Sequence, residues 1–477
     1  LQVSHSLQKI QTALSSSQYT LGSLVEYYLQ NISEHASLNV FLEVFESEAR
    51  QQAQTIDQKI KAGTAGRLAG LVVGIKDVIS YQNHHLTAGS RILEGFEAQY
   101  NATVIERLVA EDAIIIGRQN CDEFAMGSSN ENSAYGVTRN PFDPSRVPGG
   151  SSGASAVAIQ KDMCLLSIGS DTGGSVRQPA AFCGVTGLKP TYGRISRHGL
   201  VAYASSFDCI GLIAKDTEDI AKVLEIIAGV DNFDSTASEK PSETYLNAFT
   251  SSAPQKIAYF SEILSPESAL QPEIRESLEN TIASLKQKGH TVEPINAPWL
   301  SYILPVYYIL TTAEASTNLS RYDGVRYGFR SSVEKGKQTL EAMYKESRTI
   351  GFGKEVKKRI ILGTFVLSAD YFDAYYSKAQ KVRRLIAEAT QKIFQEYDFI
   401  LSPTTPTTAF EIGVPRKNPV EMYLEDLFTV QANVVGIPAI SFPVGFDQKQ
   451  LPIGLQLMAN HFEEAKLLSF SKELIGK

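Results

Sequence analysis

Two short turns and one lysine carry the chemistry that this sequence offers. Val147-Pro-Gly-Gly-Ser-Ser-Gly-Ala-Ser155 and Gly169-Ser-Asp-Thr-Gly-Gly-Ser-Val-Arg-Gln-Pro179 each contain Gly-Gly-Ser, and the serines that close them, Ser151 and Ser175, lie 24 residues apart. Glycine before serine lets the backbone adopt unusual dihedrals and approach a ligand closely. Successive free N–H groups in such a turn can aim at an oxyanion. Thr172, Gly173, Gly174 and Ser175 are the expected donors, and a helix expected directly after them adds its N-terminal dipole. Lys76 closes the apolar run Val72-Val-Gly-Ile75. A lysine in a packed apolar setting loses its proton readily, because desolvation penalises the ammonium, and it can then act as a base for a serine. Each feature alone has a plainer reading. Gly/Ser-rich turns are commonly loops or linkers, and a lysine at a strand end commonly reaches out to water. Neither turn fits G-x-x-x-x-G-K-S/T, which disfavours a phosphate-binding loop.

The elements around these residues suggest how they could meet. A helical pattern at 154–160 and a strand pattern at 164–168 separate the two serines, a layout that can bring both to one edge of a sheet. Upstream, the first sixty residues read as helices: Leu21, Leu24, Val25, Tyr28 and Leu29 recur at helical spacing after the N-cap Thr20, and a second helix runs from 45 to 60, ending near Gly63. Buried strands are expected at 68–75 and 113–116 with a helix at 102–111 between them. Further strands are expected at 256–260, 291–295, 399–401, 439–443 and 453–458, and helices at 271–288, 370–397 (one long helix) and 463–475. This alternation predicts an α/β fold: a large mixed sheet with substantial parallel character, flanked on both faces by helices. Residues 1–477 read as a single domain, with an N-terminal helical segment at 1–62, an α/β core at 63–477 and a variable surface loop region at 231–255.

Composition removes several function classes. Of the 477 residues, 43% are apolar and 20% charged, which is ample for a large core. A net charge of -7 leaves no basic footprint, so any nucleic-acid partner is expected to be held by another chain or by a small local patch. Cys121, Cys164, Cys183 and Cys209 form no C-x-x-C pair and read as reduced thiols, and the seven histidines show no metal-ligand spacing, so no metal is expected. Residues 1–14 lack the apolar core of a secretory signal. Apolar stretches such as 68–75 are far shorter than the ~20 residues that cross a bilayer. The expected location is the cytoplasm, away from membranes.

The stretch 149–179 resembles the signature of the amidase-signature family, and separations of 75 residues from Lys76 to Ser151 and 24 from Ser151 to Ser175 match its Ser–Ser–Lys triad. The resemblance implies that Ser175 is the nucleophile, that Ser151 sits on a cis peptide and relays the proton, and that Lys76 is the general base. Ala154 stands where the family usually has a second glycine after Gly153, and its small side chain is expected to leave the triad intact. Within that family, Glu123-Phe-Ala-Met-Gly-Ser-Ser-Asn-Glu-Asn-Ser-Ala-Tyr-Gly136, Gly184-Val-Thr-Gly-Leu-Lys-Pro-Thr-Tyr-Gly-Arg194, Gly199-Leu-Val-Ala-Tyr-Ala-Ser-Ser-Phe-Asp208 and Asp370-Tyr-Phe-Asp-Ala-Tyr-Tyr376 are similar to the A subunits of tRNA-dependent amidotransferases. The similarity spans nearly the whole chain and fades in the first sixty residues and around 231–255.

That resemblance implies a glutaminase working in a heterotrimer with subunits B and C. Ammonia from glutamine would convert Glu-tRNA(Gln) to Gln-tRNA(Gln), and often Asp-tRNA(Asn) to Asn-tRNA(Asn). The mischarged tRNA would be held through the complex. No cofactor is implied in this chain; ATP and magnesium would serve the partner subunit. Free glutamine carries a carboxylate and an ammonium, so a selective pocket needs one cation and one anion, and arginine offers the carboxylate a two-pronged fork. Arg359, in Lys357-Lys-Arg-Ile-Ile-Leu-Gly363, aligns with the family's carboxylate-binding arginine, and Asp426, in Met422-Tyr-Leu-Glu-Asp-Leu427, with its ammonium-binding aspartate. Tyr308 and Ser128 align with further pocket positions. A free-standing amidase with a different pocket is one competing reading, and a non-catalytic scaffold subunit is the other.

Overall fold

The structure, a computed structural model, describes residues 3–249, 253–265, 268, 270–332, 339–414 and 424–475. Met422 and Tyr423 of the motif before Asp426, and 250–252 of the expected surface loop region, lie outside the described residues.

The described strands are β1 (Phe41–Val44), β2 (Val72–Lys76), β3 (Ile114–Gln119), β4 (Leu166–Asp171), β5 (Thr186–Lys189), β6 (Cys209–Ala214), β7 (Lys256–Phe260), β8 (Thr291–Ile295), β9 (Phe399–Pro403), β10 (Ala439–Phe446) and β11 (Pro452–Met458). They form one sheet in the order β1-β3-β2-β4-β6-β5-β10-β11-β9-β7-β8. β2 runs parallel to β3 and β4, and β7 runs parallel to β8 and β9. The other pairings are antiparallel. Every residue of β2, β3 and β4 is buried, so these strands are covered on both faces. Continuous runs such as Val72-Val-Gly-Ile75 suit that position, because a strand with two buried faces has no reason to alternate.

The covering helices are α1 (Leu7–Ser15), α2 (Leu21–Glu34), α3 (Glu46–Ala62), α4 (Thr103–Ala110), α5 (Gly153–Gln160), α6 (Arg177–Cys183), α7 (Thr217–Ile227), α8 (Pro272–Gln287), α9 (Leu300–Asn318), α10 (Leu340–Gly351), α11 (Lys354–Val366), α12 (Lys378–Ile393), α13 (Val430–Val435) and α14 (Glu464–Ile475). Thr20 caps α2 by accepting the Ser23 N–H. α5 and α6 differ from the surface helices. All of α6, and α5 from Gly153 to Ile159, is buried: α5 carries only small and apolar side chains there, and the Arg177 and Gln178 of α6 have internal hydrogen-bond partners in Asp171 and Gly150. Ala154 is fully buried in the first turn of α5. α9 and α11 touch backbone to side: a Cβ at Gly363 would lie 2.0 Å from the Thr312 carbonyl oxygen, so only glycine permits this approach.

The structure corrects several expectations. The N-terminal segment is not purely helical, because β1 pairs antiparallel with β3 and ties the segment to the sheet. Its four residues, Phe-Leu-Glu-Val, are mostly apolar but all partly buried, so the run lacks the period-2 alternation that marks a strand with one buried face. The helix expected at 370–397 is π-helical over Phe372–Ser377 and α-helical only from Lys378 to Ile393. None of Phe372–Ser377 is buried, and a helix in a protein draws most of its stability from packing an apolar face. Residues 68–71 form a turn rather than the start of β2. β5 and β6 did not register in the sequence. Residues 231–244 have neither helix nor strand and are pinned by Thr103 and Ser196 donating to Asp231.

Candidate active site

Lys76 ends β2, and Ser170 and Asp171 end its parallel neighbour β4. The carboxyl ends of adjacent parallel strands are where α/β sheets hold ligands, because the chain turns away there and leaves a crevice. Two turns close over this edge. One carries Ser151 and Ser152 into α5, and the other leads from β4 through Ser175 into α6.

Folding brings Lys76 to Ser151. Lys76 Nζ lies 2.6 Å from Ser151 Oγ and 2.9 Å from both Ser152 Oγ and Ser170 Oγ. The Gly150–Ser151 peptide is cis. Around it, Gly150 N–H donates to Gln178 Oε1 at 2.9 Å, and the Ser151 carbonyl accepts the Asp122 N–H at 3.3 Å. Ser175 joins the cluster through its backbone, its carbonyl accepting the Ser152 N–H at 3.0 Å. Among the described residues no hydrogen bond links the Ser151 and Ser175 hydroxyls. Lys76 and Ser151 are fully buried, whereas Ser175 keeps 7% of its surface exposed, which makes it the outermost residue of the three.

Burial sets the electrostatics. It lowers the Lys76 amine to about 8, against the opposing pull of Cys121, Asp122, Asp171 and Asp208. Burial likewise raises Asp122 and Asp208 to about 6, although backbone N–H donors hold both down. Asp171 goes the other way: burial would raise it, but the buried Arg177 guanidinium overrides that and takes it to about 2.

Asp171 also shapes the turn that carries Ser175. Its carboxylate accepts Gly174 N–H at 2.9 Å, Val176 N–H at 3.2 Å and two Arg177 N–H groups at 3.0 Å. Gly174 therefore departs from the expected oxyanion set, because its N–H is already spent on a carboxylate. The N–H groups of Thr172, Gly173 and Ser175 have no acceptor among the described residues, and the Thr172 hydroxyl donates to Asp208 at 2.6 Å. Gly174 has φ +127°, and a Cβ there would meet Thr429 Oγ1 at 2.3 Å.

The four expected pocket residues are linked to one another. Ser128 Oγ donates to Asp426 Oδ1 at 2.8 Å, and the Tyr308 hydroxyl donates to Asp426 Oδ2 at 2.5 Å. The Arg359 guanidinium lies 5.6 Å from the Tyr308 ring centre. Tyr308 rides on α9 and Arg359 on α11, the helices locked together at Gly363. Asp426 reaches the Ser175 turn through Thr429, whose N–H donates to the Asp426 carbonyl at 3.1 Å and whose hydroxyl donates to the Gly173 carbonyl at 2.6 Å. A buried carboxylate is thus tied to the serine turn through Thr429, and a buried cation stands across the Tyr308 ring from it.

The model of the amidase family matches residues 23–468. The chain belongs to the amidase family. Among its relatives, the A subunit of glutamyl-tRNA(Gln) amidotransferase from Chlorobium phaeobacteroides is 49% identical over 469 residues, covering 98% of each chain. The protein of that name from Chlorobium chlorochromatii is 50% identical over 452 residues, covering 94% of each. Of solved structures, the corresponding A subunit from Thermotoga maritima is 38% identical with a TM-score of 0.79, covering 98% of this chain and 95% of its own. The peptide amidase of Stenotrophomonas maltophilia is 26% identical with a TM-score of 0.81, covering 98% and 96%.

Several residues of this amidase's site escaped the sequence reading. Ser152 and Ser170 complete the surroundings of Lys76. Tyr203 and Glu355 hold Arg359, with Arg359 Nη1 donating to the Tyr203 hydroxyl at 2.6 Å and Nε to Glu355 Oε1 at 2.9 Å. Glu355 and Arg359 are one helical turn apart on α11, a spacing that could have flagged the pair. The amidase's four cysteines are buried and unpaired. Among the described residues no group of three His, Cys, Asp or Glu side chains is arranged to hold a metal, and no helix is long and apolar enough to cross a membrane.

Proposed function

We propose that this amidase is the glutaminase subunit of a tRNA-dependent amidotransferase and hydrolyses glutamine through Ser175, Ser151 and Lys76. The observation that carries the reading is a fully buried Lys76 amine, lowered to about 8, 2.6 Å from the Ser151 hydroxyl. Neutral Lys76 draws the proton of Ser151, and Ser151 draws that of Ser175 as Ser175 Oγ attacks the side-chain amide carbon. The oxyanion is met by N–H groups of the 172–175 turn, with Thr172, Gly173 and Ser175 as the available donors. Each such donor contributes roughly 3–4 kcal/mol. The C–N bond breaks as the relay returns the proton to the leaving nitrogen, and ammonia departs. Water then cleaves the γ-glutamyl ester by the same relay.

Arg359 and Asp426 support glutamine as the substrate, because an amidase for neutral amides has no use for a buried cation and anion joined through one tyrosine in a pocket linked to its nucleophile turn. The near-full-length likeness to proteins named as the A subunit of glutamyl-tRNA(Gln) amidotransferase supports the rest. In this reading the chain is a single domain that works in the cytoplasm with subunits B and C. The partner uses ATP and magnesium to activate the tRNA-linked carboxylate, giving Gln-tRNA(Gln) and, where the pairing allows, Asn-tRNA(Asn).

The test is Ser175→Ala, assayed for ammonia release from glutamine with and without candidate partners. The variant is expected to keep its fold and lose turnover. Retained turnover refutes the nucleophile assignment. A wild-type rate indifferent to partners, with a better neutral amide substrate, favours a free-standing amidase.

A further inference from the structure

The three hydroxyls around Lys76 are not equivalent. A neutral amine has two N–H donors and one lone pair, and only the lone pair can accept the proton of Ser151 in the proposed reaction. Three hydroxyl oxygens lie within 2.9 Å of Nζ. If all three could donate as well as accept, the amine could turn its lone pair to any of them, and most orientations would leave Ser151 facing an N–H.

Ser152 is excluded from that competition by its other partners. Its Oγ lies 3.1 Å from the Ser170 carbonyl oxygen, an atom that only accepts, so the Ser152 proton is committed there. The same Oγ receives the Ser170 N–H at 3.3 Å. With its single proton spent, Ser152 can face Lys76 only as an acceptor. The hydroxyls of Ser151 and Ser170 have no partner but Lys76 among the described residues, so each is free to donate. Of these two, Ser151 is closer, at 2.6 Å against 2.9 Å.

We infer that Ser152 is a positioning residue that pins one N–H of neutral Lys76 and so keeps the lone pair on the side of the relay serine. The inference rests on the proposed role of Lys76 as base. Ser152 touches neither substrate nor nucleophile side chain in this scheme and acts wholly through the amine. Ser170 serves twice: its backbone carbonyl sets the direction of the Ser152 proton, and its hydroxyl is the alternative seat for the lone pair. The charged and titratable groups that face the amine are Cys121, Asp122, Asp171 and Asp208, and none of them changes when Ser152 is replaced.

The experiment is Ser152→Ala in the full chain, with partners if turnover requires them, followed by ammonia release across pH. General-base assistance is typically worth about 10²–10⁴-fold, and a misdirected lone pair forfeits part of it. The expected result is a kcat about 10- to 100-fold lower with KM for glutamine within about twofold. The acid limb of the kcat/KM profile should also move to lower pH, because the ammonium loses one of its three acceptors and is easier to deprotonate. A purely structural role would not move that limb. A kcat within about twofold of wild type, or a limb that stays in place or moves up, overturns the inference. Should Ser152→Ala unfold, Ser152→Cys fills the site with a somewhat larger side chain and weakens the acceptor. It should then show the same direction of shift with a smaller loss, and an unchanged kcat and limb there overturn the inference equally. Lys76→Ala and Ser175→Ala are run alongside. Turnover in either removes the underlying mechanism, whereas two dead controls beside a wild-type Ser152→Ala remove only the role of Ser152.

Discussion

Raising the pH from 7 to 9 should switch this amidase on through a single group. Burial lowers Lys76 from 10.5 to about 8, and the proposed base is the neutral amine. With that value the neutral fraction is about one-eleventh at pH 7, half at pH 8 and about ten-elevenths at pH 9, so kcat/KM rises about tenfold over the window. Asp122 and Asp208, at about 6, are already ionised there and leave the slope to the lysine. Ammonia release is measured at glutamine well below KM and again at saturation, because glutamine's own ammonium titrates near the top of the range and affects chiefly the first. The same burial sets a stability signature. Between about 8 and 10.5 the unfolded chain holds a proton on Lys76 that the folded chain has lost. The unfolded state binds more protons, so stability rises with pH across that window, by about 3 kcal/mol for this group. Lys76→Met lacks the term, so the stability difference between wild type and variant in urea should shift in favour of wild type by about that amount from pH 8 to 10.5. A kcat/KM that is flat from pH 7 to 9, or stabilities that run parallel, would refute the claim that burial prepares the base.

Other perturbations read other parts of the site. Arg359→Ala should raise KM for glutamine about 10- to 100-fold with a smaller change in kcat, the scale of a lost hydrogen bond to a charged group; an unchanged KM removes Arg359 from the pocket. Arg359→Lys should not restore it, because an ammonium cannot reproduce the fork that Tyr203 and Glu355 orient. Gly174→Ala should lower kcat more than 100-fold and depress Tm, since φ +127° and the 2.3 Å approach to Thr429 Oγ1 both exclude a Cβ, and wild-type kinetics would show that the turn can reshape. Asp171→Ala leaves Arg177 buried with its main carboxylate partner gone. Urea unfolding should show a loss of about 3–5 kcal/mol, and a loss under 1 kcal/mol would mean that Asn433 and Gln456 suffice to hold the guanidinium.

What could be read from the sequence follows how far each signal travels along the chain. The two serine turns and the apolar run into Lys76 are local patterns, each legible within a dozen residues. The sheet then joins them because β2 and β4 are parallel neighbours, which an α/β alternation makes expected. Ser152 and Ser170 were invisible as partners of Lys76, because a buried serine looks like any other until its neighbours are known. Asp171 stands inside the second serine motif, yet its capture of the Gly174 N–H depends on Arg177 and Asn433, the latter 262 residues away. Strand β1 failed to register for the opposite reason: its half-buried residues carry no alternation, and it exists because β3 offers it an edge.

The proton bookkeeping adds a constraint that no motif contains. A buried lysine with three acceptors is well suited to remain an ammonium, and desolvation alone offsets this only as far as about 8. A lowered amine is therefore not sufficient for catalysis; the lone pair must also face the correct hydroxyl. In this fold that direction is set by the carbonyl of Ser170, which belongs to the same strand that delivers the nucleophile turn. Displacing β4 would then disturb the proposed base and nucleophile together and, through Thr429, the Asp426 side of the pocket as well, so substitutions that shift the strand should lower kcat and raise KM together, whereas Ser152→Ala should lower kcat alone.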